Sequence, residues 1–138
     1  MNARKLWHLG VLALLLTASS CGGPRLVKVS GRLTHQGQPV PSTLVTFFPD
    51  DGGRPSHGVT DDNGNFALKY TRTESGVTRG GHTVFLRYDV SNEEETGEIK
   101  PKASKELKAV IARYGDVKTS NLHYEVKKSG QFIEIELE

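Results

Sequence analysis

Four histidines follow residue 21 in this 138-residue chain: His35, His57, His82 and His123. Imidazole can bind a metal or move a proton, but both tasks need a partner group at a set distance. No two of these histidines form a short metal-binding pair such as H-x-x-x-H. Each therefore reads as a turn or strand-surface residue, and their convergence is left to the fold. The run Asp61-Asp62-Asn63-Gly64-Asn65 is a candidate calcium loop. An EF-hand would need a glycine where Phe66 stands and a glutamate where Arg72 stands, so the run reads as a turn. Asp50-Asp51 reads as a solvated turn in the same way. There is no Gly-x-Ser-x-Gly elbow and no Gly-x-x-x-x-Gly-Lys phosphate loop. Cys21 is the one cysteine, which excludes an intrachain disulfide and a cysteine-based zinc site.

The composition bounds the rest. Hydrophobic residues make up 36% and charged residues 25%, enough for one small globular domain. Lys and Arg number 18 against 16 Asp and Glu. Removing residues 1–20 takes away Arg4 and Lys5 and leaves 16 of each sign. The basic residues are scattered along the chain, without the clustering that marks a nucleic-acid surface.

The first 20 residues read as a secretory signal. Arg4 and Lys5 precede an uncharged run from Leu6 to Ala18, whose apolar heart is Leu9–Leu16. That run is shorter than the ~20 residues of a membrane span. Small residues then lead into Cys21, and Gly22-Gly23-Pro24 stops any helical continuation. Ala18-Ser19-Ser20-Cys21 resembles the bacterial lipoprotein lipobox, with Ala18 where that family usually has Leu. The resemblance implies cleavage before Cys21 and a diacylglycerol on its thiol. Gly22 stands where Asp is the usual inner-membrane retention residue, so the resemblance also implies the outer membrane of the bacterial envelope. Ala18-x-Ser20 would also suit ordinary signal peptidase, a route that secretes a soluble protein with a free thiol. The expected layout is signal peptide 1–20, lipidated linker 21–25 and a domain at 26–138.

The domain reads as strands and turns. Val27, Val29, Gly31 and Leu33 alternate with polar residues, and Thr43–Phe48 is rich in β-branched and aromatic types. Alternation does not decide which of Phe47 and Phe48 faces the core. Ser56–Thr60 forms a short strand, and Asn63-Gly64 predicts a type I′ hairpin into Phe66, Leu68 and Tyr70. His82–Tyr88, Leu122–Val126 and Ile133–Leu137 complete the set, the last with the charges expected of an edge. Asp89–Lys100, with Glu93-Glu94-Glu95, predicts an exposed loop. Lys102–Arg113 has helical spacing at Leu107, Val110 and Ile111. The expectation is an all-β, seven-stranded antiparallel sandwich, transthyretin-like or immunoglobulin-like, with one short helix near 102–113.

The order of several short motifs supports this. Val29-Ser30-Gly31-Arg32-Leu33-Thr34, Gly37-Gln38-Pro39-Val40, Val45–Pro49 and Thr60–Phe66 together resemble carboxypeptidase regulatory-like domains. Gly81-His82-Thr83-Val84 falls where that family usually has Gly-x-Tyr-x-Val. Tyr114 with Thr119-Ser120-x-Leu122 resembles the tail of small bacterial lipoproteins carrying such a domain. The resemblance implies a transthyretin-like sandwich, with no activity attached. It covers only the accessory domain of metallocarboxypeptidases. The closing Ile135-Glu136-Leu137-Glu138 lacks the Tyr-Arg-Gly-Ser-type tail of the transthyretin-like hydroxyisourate hydrolase.

The expected function is a lipid-anchored, non-catalytic envelope module with a binding or structural role. Its expected partners are membrane lipid, through acylated Cys21, and an envelope protein or polysaccharide. No catalytic residue, cofactor, metal or nucleic acid is expected. Two alternatives stand: a carbohydrate- or surface-polymer-binding protein using Tyr70, Tyr88, Tyr114 or Tyr124, and a cryptic hydrolase using dispersed His and Asp.

Overall fold

The computed structural model describes residues 22–89 and 103–138. Residues 1–20, expected to be a signal peptide, Cys21 and most of the Asp89–Lys100 segment lie outside the described residues. The chain is mostly β. Its strands are β1 (Leu26–Val27), β2 (Val29–His35), β3 (Gln38–Pro39), β4 (Thr43–Pro49), β5 (Ser56–Val59), β6 (Asn65–Ala67), β7 (Val77–Thr78), β8 (Gly80–Tyr88), β9 (Leu122–Val126) and β10 (Gln131–Leu137). One helix, α1, spans Lys105–Arg113.

The strands form two four-stranded sheets and a two-stranded ribbon. In the first sheet β2 is the hub, paired with β10, β3 and β6. The second runs β5-β4-β8-β9, all antiparallel. The ribbon is β1 with β7.

Alternation places the core. Val29 and Leu33 of β2, Phe66 of β6, and Ile133, Ile135 and Leu137 of β10 are buried. They share one cluster with Val45 and Phe47 of β4 and Val84 and Leu86 of β8. The rings of Phe47 and Phe66 meet across the two sheets, 6.4 Å between centroids. Phe47 thus faces the core and Phe48 the opposite side, because successive strand residues point to opposite faces. The helix starts at Ser104, whose hydroxyl accepts the Leu107 N–H at 3.1 Å. It buries Ile111 and leans Leu107 and Val110 on the same core. Leu86 N–H donates to Tyr114 O at 2.8 Å, tying the helix end to β8.

Three expectations are corrected. The described residues form ten strands, not seven, because β1, β3 and β7 are two residues each and too short for a period to show. The arrangement is not wholly antiparallel: β10 runs parallel to β2 along all of both strands. Period-2 alternation looks the same in either direction, so it cannot report this. The Asp61–Asn65 turn is not type I′, since Gly64 has φ 76° but Asn63 is not in the left-handed region. It also joins β5 of one sheet to β6 of the other.

That crossing is held by a carboxylate. Asp61 Oδ1 accepts the N–H groups of Asn63 and Asn65, each at 2.9 Å. Leu33 N–H donates to Gly64 O at 2.8 Å, docking the turn on β2. A Cβ on Gly64 would lie 2.4 Å from Leu33 O, in addition to the positive-φ penalty. Gly64→Ala is expected to lower stability by at least about 2 kcal/mol. Asp62→Ala, on an exposed side chain, should stay within about 0.5 kcal/mol. Urea denaturation of the two variants checks this pair.

Candidate functional site

Chemically capable side chains gather most densely where β4 leaves the second sheet. Antiparallel pairing sets Pro49 opposite His82 and Phe48 opposite Thr83, while β9 sets His123 opposite Thr83. Asp50 follows β4 directly and reaches back over this end: its N–H donates to Gly81 O at 3.0 Å. Asp50 Oδ1 accepts the Thr83 hydroxyl at 3.1 Å, and Oδ2 lies 3.2 Å from His123 Nε2. A Cβ at Gly81 would stand 2.3 Å from Asp50 Oδ2, so the missing side chain there makes room for the carboxylate.

His82 belongs to the other side of the sheet. It is fully buried, with its ring 5.9 Å from that of Phe47. Its Nδ1 is 2.9 Å from Gly80 O. A carbonyl oxygen can only accept, so Nδ1 carries the proton and the neutral ring's Nε2 takes the Thr78 hydroxyl at 3.4 Å. Burial lowers the pKa of His82, against the raising pull of the Gly80 hydrogen bond and of Asp50 and Asp51. This is a satisfied core histidine.

The geometry limits what these groups can do. Thr83 donates its hydroxyl hydrogen bond to the Asp50 carboxylate, so a hydroxyl–imidazole–carboxylate relay is not the order of contacts here. His123 and its Asp50 partner are 61% and 39% exposed, where an ion pair contributes little. Among the described residues no three His, Cys, Asp or Glu side chains converge as metal ligands. His57 is exposed on β5. His35 sits at the opposite end of β2, where its Nδ1–H donates to Leu137 O at 3.0 Å. There it lines a cleft of about 380 Å³ with Gln38, Val40, Ser104, Glu106 and Leu107. The four histidines are thus brought together only as far as His82 and His123, and those two point to opposite faces.

The Asp61–Asn65 carboxylate is spent on backbone N–H groups, as described above. The tyrosines form no flat exposed platform. Tyr114 is buried, Tyr124 packs on Phe47, Arg54 lies 5.8 Å over Tyr70 and Lys108 lies 4.5 Å over Tyr88. Sequence reasoning missed Thr83 and the Asp50–His123 pairing, for which the chain carries no local signal. Glu136, on the outer face of β10, is held below the usual carboxylate range by the Thr34 hydroxyl and the Gly37 N–H.

No protein-family model matches the chain, and no curated protein matches it. Among solved structures, a DUF3823 family protein from Parabacteroides merdae is similar over 83% of this chain and 47% of its own, at 13% identity and a TM-score of 0.47. The chain thus spans about half the length of that protein.

The buried histidine makes a pH prediction. His82 binds a proton less readily folded than unfolded, so acid favours the unfolded state. Stability should be full above the unfolded value of about 6.5 and fall as pH drops below it, levelling under the lowered folded pKa. Urea denaturation between about pH 5 and 8 would show this, above the range in which Glu136 titrates. His82→Phe should flatten the wild-type slope in that window, and an equal slope in both proteins would rule the assignment out.

Proposed function

We propose that this chain is a lipid-anchored, non-catalytic module of the bacterial cell envelope, a sandwich of transthyretin-like type that binds or braces another envelope component. The observation that carries the reading is the abrupt succession from signal to folded domain. A basic start, an apolar run and small residues end at Cys21, and the first strand begins at Leu26. Between them Gly22–Arg25 are exposed and take no part in a strand or helix. A thiol-linked diacylglycerol at Cys21 supplies membrane affinity at about 0.8 kcal/mol per buried methylene. Among the described residues no helix is long and apolar enough to cross a bilayer.

The site geometry supports the non-catalytic part. Asp50, Thr83 and His123 do not form a hydroxyl–imidazole–carboxylate relay, their carboxylate is solvent-exposed, and His82 is shielded. The carbohydrate reading loses its tyrosine platform to the core and to covering cations. We therefore favour a binding surface made by backbone edges and charges over an enclosed active site.

Cys21→Ser tests the anchor. The variant is expected to keep the fold and to leave the membrane fraction, as read by circular dichroism and cell fractionation. Intact mass of the native protein should show a chain beginning at Cys21 with added acyl mass. An unmodified Cys21, or a variant that stays with the membrane through washing, would overturn the proposal.

A further inference from the structure

The cations that look scattered along the sequence are not scattered in space. The β1–β7 ribbon pairs Leu26 with Thr78, so Arg25, just before β1, and Arg79, just after β7, leave the same end of that ribbon. The β8–β9 ladder pairs Gly80 with Val126, so Arg79, just before β8, and Lys127, just after β9, stand at the same end of that ladder. The turn after β9 is tied to the start of the domain. Gly130 N–H donates to Lys28 O at 2.8 Å, and Lys28 N–H donates to Ser129 Oγ at 3.2 Å. Arg25, Lys28, Arg79, Lys127 and Lys128 are all exposed. They surround the point where the chain leads back to Cys21.

Fewer counter-charges oppose them. Glu125 lies 3.8 Å from Lys127, in a pair whose side chains are 63% and 71% exposed and so bound only weakly. Asp50 and Asp51 close the end of β4 as further counter-charges, so this end sets five cations against Glu125, Asp50 and Asp51. Beside this group stands Phe132, 55% exposed and the most exposed large apolar side chain among the described residues. It follows the 127–130 turn and pairs with Ser30, two residues beyond Lys28. An outward aromatic flanked by lysines suits a bilayer interface, where the ring enters the headgroup layer and the ammonium groups meet phosphate.

We propose that this end of the domain, with Arg25, Lys28, Arg79, Lys127, Lys128 and Phe132, docks on an anionic phospholipid surface. The proposal rests on the anchored reading above and adds an orientation to it. Four residues separate Cys21 from Leu26, a reach of at most about 18 Å when fully extended. An acylated Cys21 therefore keeps this end near the headgroups. Acyl chains and a basic patch are two signals that reinforce each other, since each raises the local concentration felt by the other. Docked this way, the 61–64 turn and the cleft beside His35 face away from the membrane, because β2 runs from Val29 near the surface to His35 at the far end.

The test uses the chain beginning at Gly22. Among the described residues every core residue lies at Val27 or beyond, so this chain retains that core. It also lacks Cys21, so its membrane binding does not depend on lipidation. Sedimentation with vesicles of phosphatidylglycerol and phosphatidylethanolamine should show binding that is absent with phosphatidylcholine alone. Binding should be lost at about 1 M salt, where the screening length falls to about 3 Å. Each cation near an anionic surface is expected to strengthen binding about fivefold. The combined Lys28→Gln, Lys127→Gln and Lys128→Gln variant should thus bind about a hundredfold more weakly. Phe132→Ala should weaken binding at both low and moderate salt. Lys105→Gln with Lys118→Gln, away from this end, should bind as the parent does. Circular dichroism checks that each variant is folded. Equal binding to neutral and anionic vesicles, no binding to either, or a folded triple variant that binds like the parent would each overturn the proposal. Loss of docking here with acylated Cys21 in native protein would remove the orientation and leave the anchor. Docking with an unmodified Cys21 would do the reverse.

Discussion

The domain is closed by the parallel pairing of β2 with β10, which joins Val29–His35 to Gln131–Leu137 residue by residue. β2 is also the strand that receives β3, β6 and the Asp61–Asn65 turn. Its inward residues Val29 and Leu33 meet Ile133, Ile135 and Leu137 in the shared core. A parallel pair cannot be closed by a tight turn, so the intervening chain must first be laid down as the second sheet, the ribbon and the helix. Long loops must be closed before these contacts form, which gives the fold a high contact order. The strand that completes the sheet is also its edge. Glu134, Glu136 and Glu138 stand exposed along it and discourage pairing with another chain.

The same alternation that builds the core governs the chemistry. On β8 and β9, neighbouring residues point to opposite faces, so His82 enters the core while Thr83 and His123 remain outside. Two imidazoles close in the ladder are therefore kept in different surroundings. One is neutral by burial and tautomer, and the other meets Asp50 in water. Other hydrogen-bonding side chains hold turns and the helix start: Asp61 accepts two backbone N–H groups, Ser104 the Leu107 N–H, and Asp116 the Lys118 N–H at 2.7 Å.

Charge is distributed by topology. The ends of β1, β7 and β9 put Arg25, Arg79 and Lys127 at one end of the domain although they are far apart in the chain. They are exposed, and it is on this that the proposed docking to an anionic surface rests. Proximity to Cys21 is what distinguishes this end from the rest of the molecule.

Much of the architecture was legible in the residues alone. Period-2 runs at Val29–Leu33 and Ile133–Leu137 marked strands with one buried face, and β-branched and aromatic content marked strands at Thr43–Phe48 and His82–Tyr88 without deciding their facing. The spacing of Leu107, Val110 and Ile111 marked the helix, and Gly64 marked a position that needs positive φ. Strand direction, the split of Val27 from Val29 into different sheets, and the choice of Phe47 over Phe48 were decided only by tertiary structure. So were the Asp50–His123 contact and the basic end. These depend on which strands become neighbours, and hydrogen-bond ladders between distant segments leave no local trace in the chain.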